Sequence, residues 1–458
     1  MNFLDMGMQM MDPDVLQDDL LEGLFYNHTQ PPLFNAFVGT VLKATPDRVS
    51  AHMVFSFIYG TIGIFLVLGI YILALSIGAS RFWSLSAAAL FILWPPCIYE
   101  QIFNHPPPEK WLSYDYPMLA LLLAMALSLV NLRKGAKPAV WAGVFLIFSA
   151  AAVLTRSFFH PLLWYAPSMF LVLYLVRNHD PGCRRKVMVV SVAALILVAF
   201  PTLKNGFLFG SFSGSSFQGM NIASRTLFLS PEILDKEVSA GLVTPLALIP
   251  RFSEPGVYLD YYGDKGLTGK RFLDRVVKST GYPDWNHLII VRASHEYQAN
   301  TIALLGAYPL ELLKTTLNGI YIFFGFELHQ FIWPPGMPPW GFWDVTFPAF
   351  EFHGVSGFLR YVLAPLVFAC VFFLVLSCFL RKREDPVALF MAFALIYVFV
   401  VANLGELGHN GILRKQIDPL LFAGAALWVT QAIPRFTQVP RFRFRVSGFT
   451  STPRHLDT

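Results

Sequence analysis

The sequence predicts an all-α polytopic membrane protein, a transmembrane helix bundle with an extracytoplasmic loop insertion. Its residues are 55% hydrophobic and only 14% charged, with a mean hydropathy of +0.53, whereas soluble chains carry roughly 25% charged residues. Several uncharged runs, such as residues 54–75, last about 20 residues, the length a helix needs to cross the hydrocarbon layer. Basic residues concentrate in short loops between these runs, where they report the orientation of a helical membrane protein.

The apolar runs predict about nine spans. None shows the alternating pattern of barrel strands. No cleavable signal peptide is expected, since acidic residues precede the first apolar run. The four cysteines fit neither a disulfide framework nor a metal spacing. The predicted spans cover approximately residues 52–79, 82–102, 116–132, 139–155, 158–176, 187–203, 362–380, 386–404 and 417–434.

The basic loops predict the orientation of the chain. The net charge of +5 is small, and its cations report topology, so no nucleic-acid partner is expected. The same alternation places residues 1–50 outside, which leads us to expect an upstream first helix that is missing from this sequence. The cytoplasmic markers are Arg133, Lys134, Lys137, Arg177, Arg184, Arg185, Lys186, Arg381, Lys382 and Arg383, together with the arginines of the tail.

The stretch 317–333 is apolar enough to resemble a further span. If it crossed, the basic residues 381–383 and the basic tail would both fall outside, against the charge rule. We therefore predict an interfacial or re-entrant element over 308–333, preceded by an amphipathic helix around 297–313.

These boundaries divide the chain into five predicted regions. They are a first extracytoplasmic loop (1–50) that carries catalytic residues, an N-terminal transmembrane bundle (51–203), an extracytoplasmic insertion (204–357), C-terminal transmembrane helices (358–434) and a basic cytoplasmic tail (435–458).

Ionisable residues accumulate in the predicted outer loops. Such groups at the ends of spans are costly unless paired or functional. A carboxylate there can act as a general base, and nearby cations can neutralise a phosphate. No Gly-rich phosphate loop, Ser-His-Asp signature or His-Glu-x-x-His motif occurs. The candidates are Asp12, Glu100 and Asp115 as catalytic residues, and His28, Gln30, Arg156, His160, Lys204 and Arg414 as substrate-binding residues, with Glu406 and His409 as weaker ones.

Asp12 followed by His28-Thr29-Gln30-Pro31-Pro32-Leu33 resembles the first outer loop of the GT-C membrane glycosyltransferases. The similarity is to the branch of protein mannosyltransferases and aminoarabinose transferases. The stretch 204–216 and the run Arg414-Lys415-Gln416-Ile417-Asp418-Pro419 are also similar to bacterial members. The sequence departs from the family pattern because its acidic pair is not adjacent and its leading helix is absent.

The resemblance implies a GT-C-like bundle that transfers a sugar, with inversion, from a polyprenyl-phosphate donor to an acceptor hydroxyl. The acceptor would be a lipid, a glycan or a protein, and the membrane a bacterial inner membrane with the site facing the periplasm or exterior. Asp12 would be the base, with Asp14, Asp18 and Asp19 as rivals. Lipid phosphate would meet some of Arg156, His160, Lys204 and Arg414. Glu100 or Asp115 would orient the acceptor or help to hold a divalent cation.

Each assignment has a structural alternative. Asp12 before Pro13 is a common helix start, and His28 could hydrogen-bond a turn. Arg156 could snorkel to lipid headgroups. A transporter or flippase of a lipid-linked or small polar substrate is the competing function, although such proteins keep charges near the midplane and often show internal repeats. A non-catalytic relative that acts as an assembly partner is a third possibility.

Overall fold

The computed structural model describes residues 10–93, 113–135, 137–226, 229–263, 267–324, 385–405 and 410–432. These residues form helices and carry no named strand. The helices are α1 (Pro13–Asp18), α2 (Leu20–Tyr26), α3 (Pro32–Ala44), α4 (Arg48–Ile77), α5 (Arg81–Leu93), α6 (Asp115–Arg133), α7 (Pro138–Thr155), α8 (Ala166–Leu175), α9 (Pro181–Phe209), α10 (Gln218–Ala223), α11 (Pro231–Ser239), α12 (Pro255–Tyr262), α13 (Arg271–Asp274), α14 (Ile289–Ala307), α15 (Pro309–Phe324), α16 (Pro386–Gly405), α17 (Asn410–Lys415) and α18 (Asp418–Ala432).

Five of these helices, α4, α6, α7, α9 and α16, are long and apolar enough to cross a membrane. Each coincides with a predicted span. The predicted spans at 82–102 and 158–176 correspond to shorter apolar segments, Arg81–Ile92 and Pro161–Leu175, and the one at 417–434 to α18. The predicted span at 362–380 lies outside the described residues. The all-α prediction is confirmed, and the chain is an integral membrane protein.

Local sequence fixes where the spanning helices start and end. Asp47 caps α4 by accepting from the Ser50 N–H at 2.7 Å, and the helix ends at Gly78, whose φ of +105° suits glycine. Asp180 caps α9 by accepting from the Cys183 N–H at 2.8 Å. These caps satisfy backbone groups that a helix leaves unpaired at its ends.

At one end of the bundle, Arg133 connects the ends of three spanning helices. Arg133, the last residue of α6, contacts Asp385 at 2.6 Å, immediately before α16, and donates to the Ser76 carbonyl in the last turn of α4 at 2.6 Å. Since successive spans alternate in direction, the opposite end gathers the start of α6, the end of α7, the end of α9 and the end of α16. That end carries most of the predicted site residues.

The polar regions outside the bundle have small cores of their own. The first loop buries Leu16, Phe34 and Val38 together with Phe272 of the insertion. The insertion packs α10 against α14 and buries Met220, among other apolar residues. The predicted amphipathic helix around 297–313 is instead two helices, because Pro309 cannot continue α14 and begins α15.

Candidate functional site

The centre of the site is an ion pair between Asp115 and Arg156. Asp115 lies in the first turn of α6, where the helix dipole favours an anion. Arg156 directly follows the last residue of α7, where the dipole favours a cation. The second Asp115 oxygen accepts from the Ser113 hydroxyl at 3.0 Å. The Arg156 guanidinium also lies 4.7 Å from the centre of the Tyr114 ring.

A buried amide contacts this pair, and a second arginine lies two residues before it in the chain. With its oxygen turned toward the guanidinium, Gln416 accepts from Arg156 Nε at 3.2 Å. Arg414 lies two residues earlier and is buried like Gln416. Its Nη1 donates to the Phe323 carbonyl at 3.0 Å, and its Nε lies 3.6 Å from an Asp418 oxygen. We call Asp115, Arg156, Arg414, Gln416 and Asp418 the rim cluster.

The rim cluster balances two cations against two carboxylates, but the two halves differ in exposure. Arg414 and Asp418 have side chains only 4% and 2% exposed, whereas the Asp115 side chain is 28% exposed. A buried charge is tolerable only when it is paired, and the pair formed by Arg414 and Asp418 meets this condition. Asp115 is therefore the carboxylate of the cluster that an external molecule can reach.

Gln30 contacts a residue beside this cluster, whereas His160 contacts other parts of the protein. The Ser157 hydroxyl donates to Gln30 Oε1 at 3.3 Å, one residue from Arg156. His160 Nδ1 accepts from the Leu162 N–H at 3.2 Å, and its backbone N–H donates to the Tyr397 hydroxyl at 2.9 Å. His160 thus caps the short π-helix Pro161–Tyr165. This local role accounts for its position without a ligand.

His28 and Lys204 hold the first loop in place. The Lys204 ammonium donates to the Asn27 carbonyl. His28 is fully buried, with Nε2 2.9 Å from the Asn286 carbonyl and Nδ1 2.7 Å from the Ser216 hydroxyl. Because a carbonyl only accepts, Nε2 carries the proton and Nδ1 accepts from the serine. Burial lowers the pKa of His28 to about 3, so the ring is neutral at physiological pH.

Asp12 lies in a separate cluster, between the first loop and the insertion. One carboxylate oxygen accepts from the Asp14 N–H at 2.9 Å and from the Ser279 hydroxyl at 2.6 Å. The other accepts from the Ser279 N–H at 2.7 Å and pairs with Arg275. The residue is 1% exposed, so both of its oxygens are occupied and shielded from solvent.

We call Asp12, Arg275, Ser279, Lys278 and Asp284 the Asp12 clasp. The Lys278 ammonium donates to the Met10 carbonyl at 2.6 Å. Asp284 is buried and its backbone N–H donates to the Val276 carbonyl at 2.8 Å. Burial raises the pKa of the Asp284 carboxyl, and the charge of Lys278 opposes this. The turn 276–284 is thereby fastened onto the start of α1.

The structure divides the predicted site residues into three groups, apart from His160, which caps a short helix. Asp115, Arg156 and Arg414 form the rim cluster, with Gln30 beside it. His28 and Lys204 secure the first loop, and Asp12 belongs to the clasp. No described contact links Asp12 to the predicted phosphate-binding cations, so its catalytic role stays a prediction. Glu100, Glu406 and His409 lie outside the described residues.

Sequence reasoning missed several residues that complete these clusters. Asp418 stands in the run 414–419 quoted from the sequence, but its pairing with Arg414 was not predicted, and helical spacing does not indicate it because α17 ends at Lys415 and α18 begins at Asp418. Asn286, Ser279 and Arg275 are more than 250 residues from their partners in the first loop. No local pattern indicates contacts of that separation.

The described residues do not provide a metal site. No group of three His, Cys, Asp or Glu side chains comes together among them. Asp115, the described candidate ligand, faces a guanidinium and a hydroxyl. The divalent cation considered from the sequence remains a prediction, because Glu100, the other carboxylate proposed to hold it, lies outside the described residues.

Comparisons with known protein families and with curated proteins find no match. Among solved structures, the chain is similar to the archaeal oligosaccharyltransferase AglB from Archaeoglobus fulgidus, solved in complex with an inhibitory peptide and a dolichol-phosphate. The match has 15% sequence identity and a TM-score of 0.41, and covers 93% of this chain and 47% of that one. This chain thus spans about half the length of AglB. A TM-score this low supports no argument about reaction or ligands.

Proposed function

We propose that this protein is a membrane glycosyltransferase that transfers a sugar from a polyprenyl-phosphate donor to an acceptor hydroxyl, with the rim cluster as its active site. The observation that carries the proposal is the pairing of the buried Arg156 guanidinium with the part-exposed carboxylate of Asp115, and its contact with Gln416 on the segment that also holds the buried Arg414. Guanidiniums bind phosphate through charge-assisted hydrogen bonds. A carboxylate at hydrogen-bond distance from a hydroxyl can act as a general base.

The exchange of partners at Arg156 gives the proposed mechanism. Donor phosphate takes the place of Asp115 on the guanidinium, and this releases a carboxylate oxygen toward the acceptor. Asp115 removes the hydroxyl proton as the acceptor oxygen attacks the anomeric carbon from the face opposite the phosphate. The bond between that carbon and the phosphate oxygen breaks, and lipid phosphate leaves as an anion stabilised by the arginines. The configuration of the anomeric carbon is inverted.

This mechanism moves the base from Asp12, which the family resemblance suggests, to Asp115. Asp12 already accepts four contacts from the protein and is shielded from solvent. It could take a proton from substrate only after the turn 276–284 released it. Asp115 needs only to exchange one partner for another.

The remaining features of the proposal come from the sequence. The charge pattern and the resemblance favour a bacterial inner membrane with the site facing the periplasm or exterior. They favour a lipid, glycan or protein as the acceptor.

The test is sugar transfer by purified protein reconstituted with a radiolabelled polyprenyl-phosphate sugar and a crude acceptor fraction. We expect labelled product from the unmodified protein and none from Asp115→Asn. A vesicle assay run in parallel follows movement of the same donor between leaflets. Movement of the donor without any new covalent product would overturn the proposal in favour of a flippase.

A further inference from the structure

Helix α15, within the insertion, carries an edge of exposed leucines in its N-terminal part. Leu310, Leu313 and Leu317 are 71%, 56% and 57% exposed. They are spaced by three and four residues, so they lie along one side of the helix. Contiguous exposed apolar side chains of this kind mark a contact surface.

The opposite side of α15 is packed on the protein. Thr315 and Phe323 are fully buried, and the Thr315 hydroxyl lies 3.0 Å from the Arg225 carbonyl. The helix contacts α17 and the membrane-spanning helix α16. The leucine edge therefore belongs to a helix that is fixed against the bundle.

The exposed part of α15 is itself divided into an apolar and a polar half. At about 100° per residue, the three leucines fall within about 60° of the helix circumference. Lys314 and Asn318 are also exposed and fall on the adjoining arc. Lys314 pairs with Glu311 at 2.5 Å. A helix immersed in lipid would not present a charged residue beside its apolar edge, whereas a helix in the interfacial plane does.

We infer that α15 lies in the plane of the membrane interface, on the side of the rim cluster. Its leucine edge enters the boundary between headgroups and acyl chains, and its Lys314 edge faces water. The occupant of the leucine edge is the phospholipid leaflet, because the helix is packed against α16, whose own exposed side chains include Val400 and Leu404. This inference does not depend on the proposed function.

This placement of α15 would also set the depth of the candidate site in the membrane. Phe323, in the last turn of α15, supplies the carbonyl to which Arg414 donates. A helix that rests in the interfacial plane and ends at Arg414 holds that guanidinium near the depth of lipid phosphates. A lipid-linked phosphate could then reach the rim cluster without leaving its leaflet.

Spin-label depth measurements test the inference. Cys97, Cys183, Cys370 and Cys378 are replaced by serine, and single cysteines are introduced as Leu310→Cys, Leu313→Cys and Leu317→Cys. Each variant is labelled with a nitroxide in vesicles of phosphatidylcholine and phosphatidylglycerol, and its depth is measured from the accessibility to oxygen and to a water-soluble nickel chelate. Leu68→Cys, within the span α4, is the deep reference, and Lys236→Cys, on the exposed face of α11, is the aqueous reference.

An in-plane helix places the labels at 310 and 317 at the same shallow depth, within about 3 Å. Seven residues along a helix rise about 10 Å, so a depth difference of that size would show that α15 crosses the hydrocarbon and would overturn the inference. Low accessibility to both reagents would show that protein covers the edge, and accessibility equal to that of Lys236→Cys would show that water does. Either result would also overturn it.

Discussion

Asp12 and Asp115 are both carboxylates beside guanidiniums, yet they have opposite relations to solvent. Asp12 is shielded, and its two oxygens accept from the Asp14 and Ser279 backbone, the Ser279 hydroxyl and Arg275. Asp115 has a part-exposed side chain that faces Arg156 and Ser113. An acidic residue in the expected loop can therefore serve only to stabilise the fold. Chemistry needs a carboxylate that a substrate can reach.

The largest expected effect is on catalysis at the rim cluster. Asp115→Asn should lower the rate of sugar transfer by roughly 10²–10⁴-fold, the usual contribution of a general base. The melting temperature is measured alongside, because the substitution also removes the counter-ion of the buried Arg156. Asp14→Asn is a matched control, because Asp14 pairs with Arg48 at 3.1 Å on the exposed surface, and it should transfer normally. Equal losses in the two variants would remove the distinction between the two regions.

The next effect concerns the buried half of the rim cluster. Arg414→Gln should lower transfer by about 10²-fold through lost phosphate stabilisation, and should also destabilise the fold by about 3–5 kcal/mol, because the buried Asp418 loses its guanidinium partner. The double variant Arg414→Gln/Asp418→Asn removes both charges and should recover most of the melting temperature.

Sugar transfer by the double variant distinguishes phosphate binding by Arg414 from its contribution to the stability of the fold. If it binds phosphate, the double variant remains inactive although it is stable again. Recovery of transfer together with stability would mean that Arg414 serves the fold alone.

The Asp12 clasp should respond to mutation in stability more than in chemistry. Asp12→Ala removes a helix cap, which costs about 1 kcal/mol, and leaves the Ser279 donors without their acceptor, which costs about 1–2 kcal/mol more. Thermal unfolding in detergent measures the loss, with Asp18→Ala, in the same short helix but exposed, as the control. If Asp12→Asn abolished transfer in a protein of unchanged stability, Asp12 would be the base.

The smallest effect is a pH dependence of the first loop. The pKa of His28 falls from 6.5 to about 3 on folding, so acid favours the unfolded chain. Stability should be complete above pH 6.5 and should fall by about 1.4 kcal/mol for each pH unit below it. The melting temperature at pH 7.5 minus that at pH 5 should be smaller in His28→Gln than in the unmodified protein. An identical difference would show that the ring is not buried in its neutral form.

Length and composition predicted the spanning helices well, because crossing the hydrocarbon imposes a long uncharged run on each. The run 187–203 and the helix Pro181–Phe209 illustrate this. Alternation of the spans then predicted that Asp115, Arg156, Lys204 and Arg414 emerge at one end. Which of them make contact depends on packing between distant segments, as in the contact of Asp12 with Ser279. Local sequence carries no record of such pairs.

The sequence also did not indicate which charged side chains are buried or what they contact. Lys204 and Arg414 look equivalent as cations at the ends of spans, but Lys204 holds the Asn27 carbonyl while Arg414 joins the rim cluster. Asp12 before Pro13 predicts a helix cap, and the structure confirms the cap. The sequence did not indicate that Ser279 and Arg275 occupy the rest of that carboxylate.

The most direct test is a structure of the protein with a bound polyprenyl phosphate. We predict the phosphate within hydrogen-bond distance of the Arg156 and Arg414 guanidiniums, Asp115 turned away from Arg156, and Asp12 still held by Ser279. A phosphate bound beside Asp12, with the turn 276–284 displaced and the ion pair between Asp115 and Arg156 intact, would contradict the account.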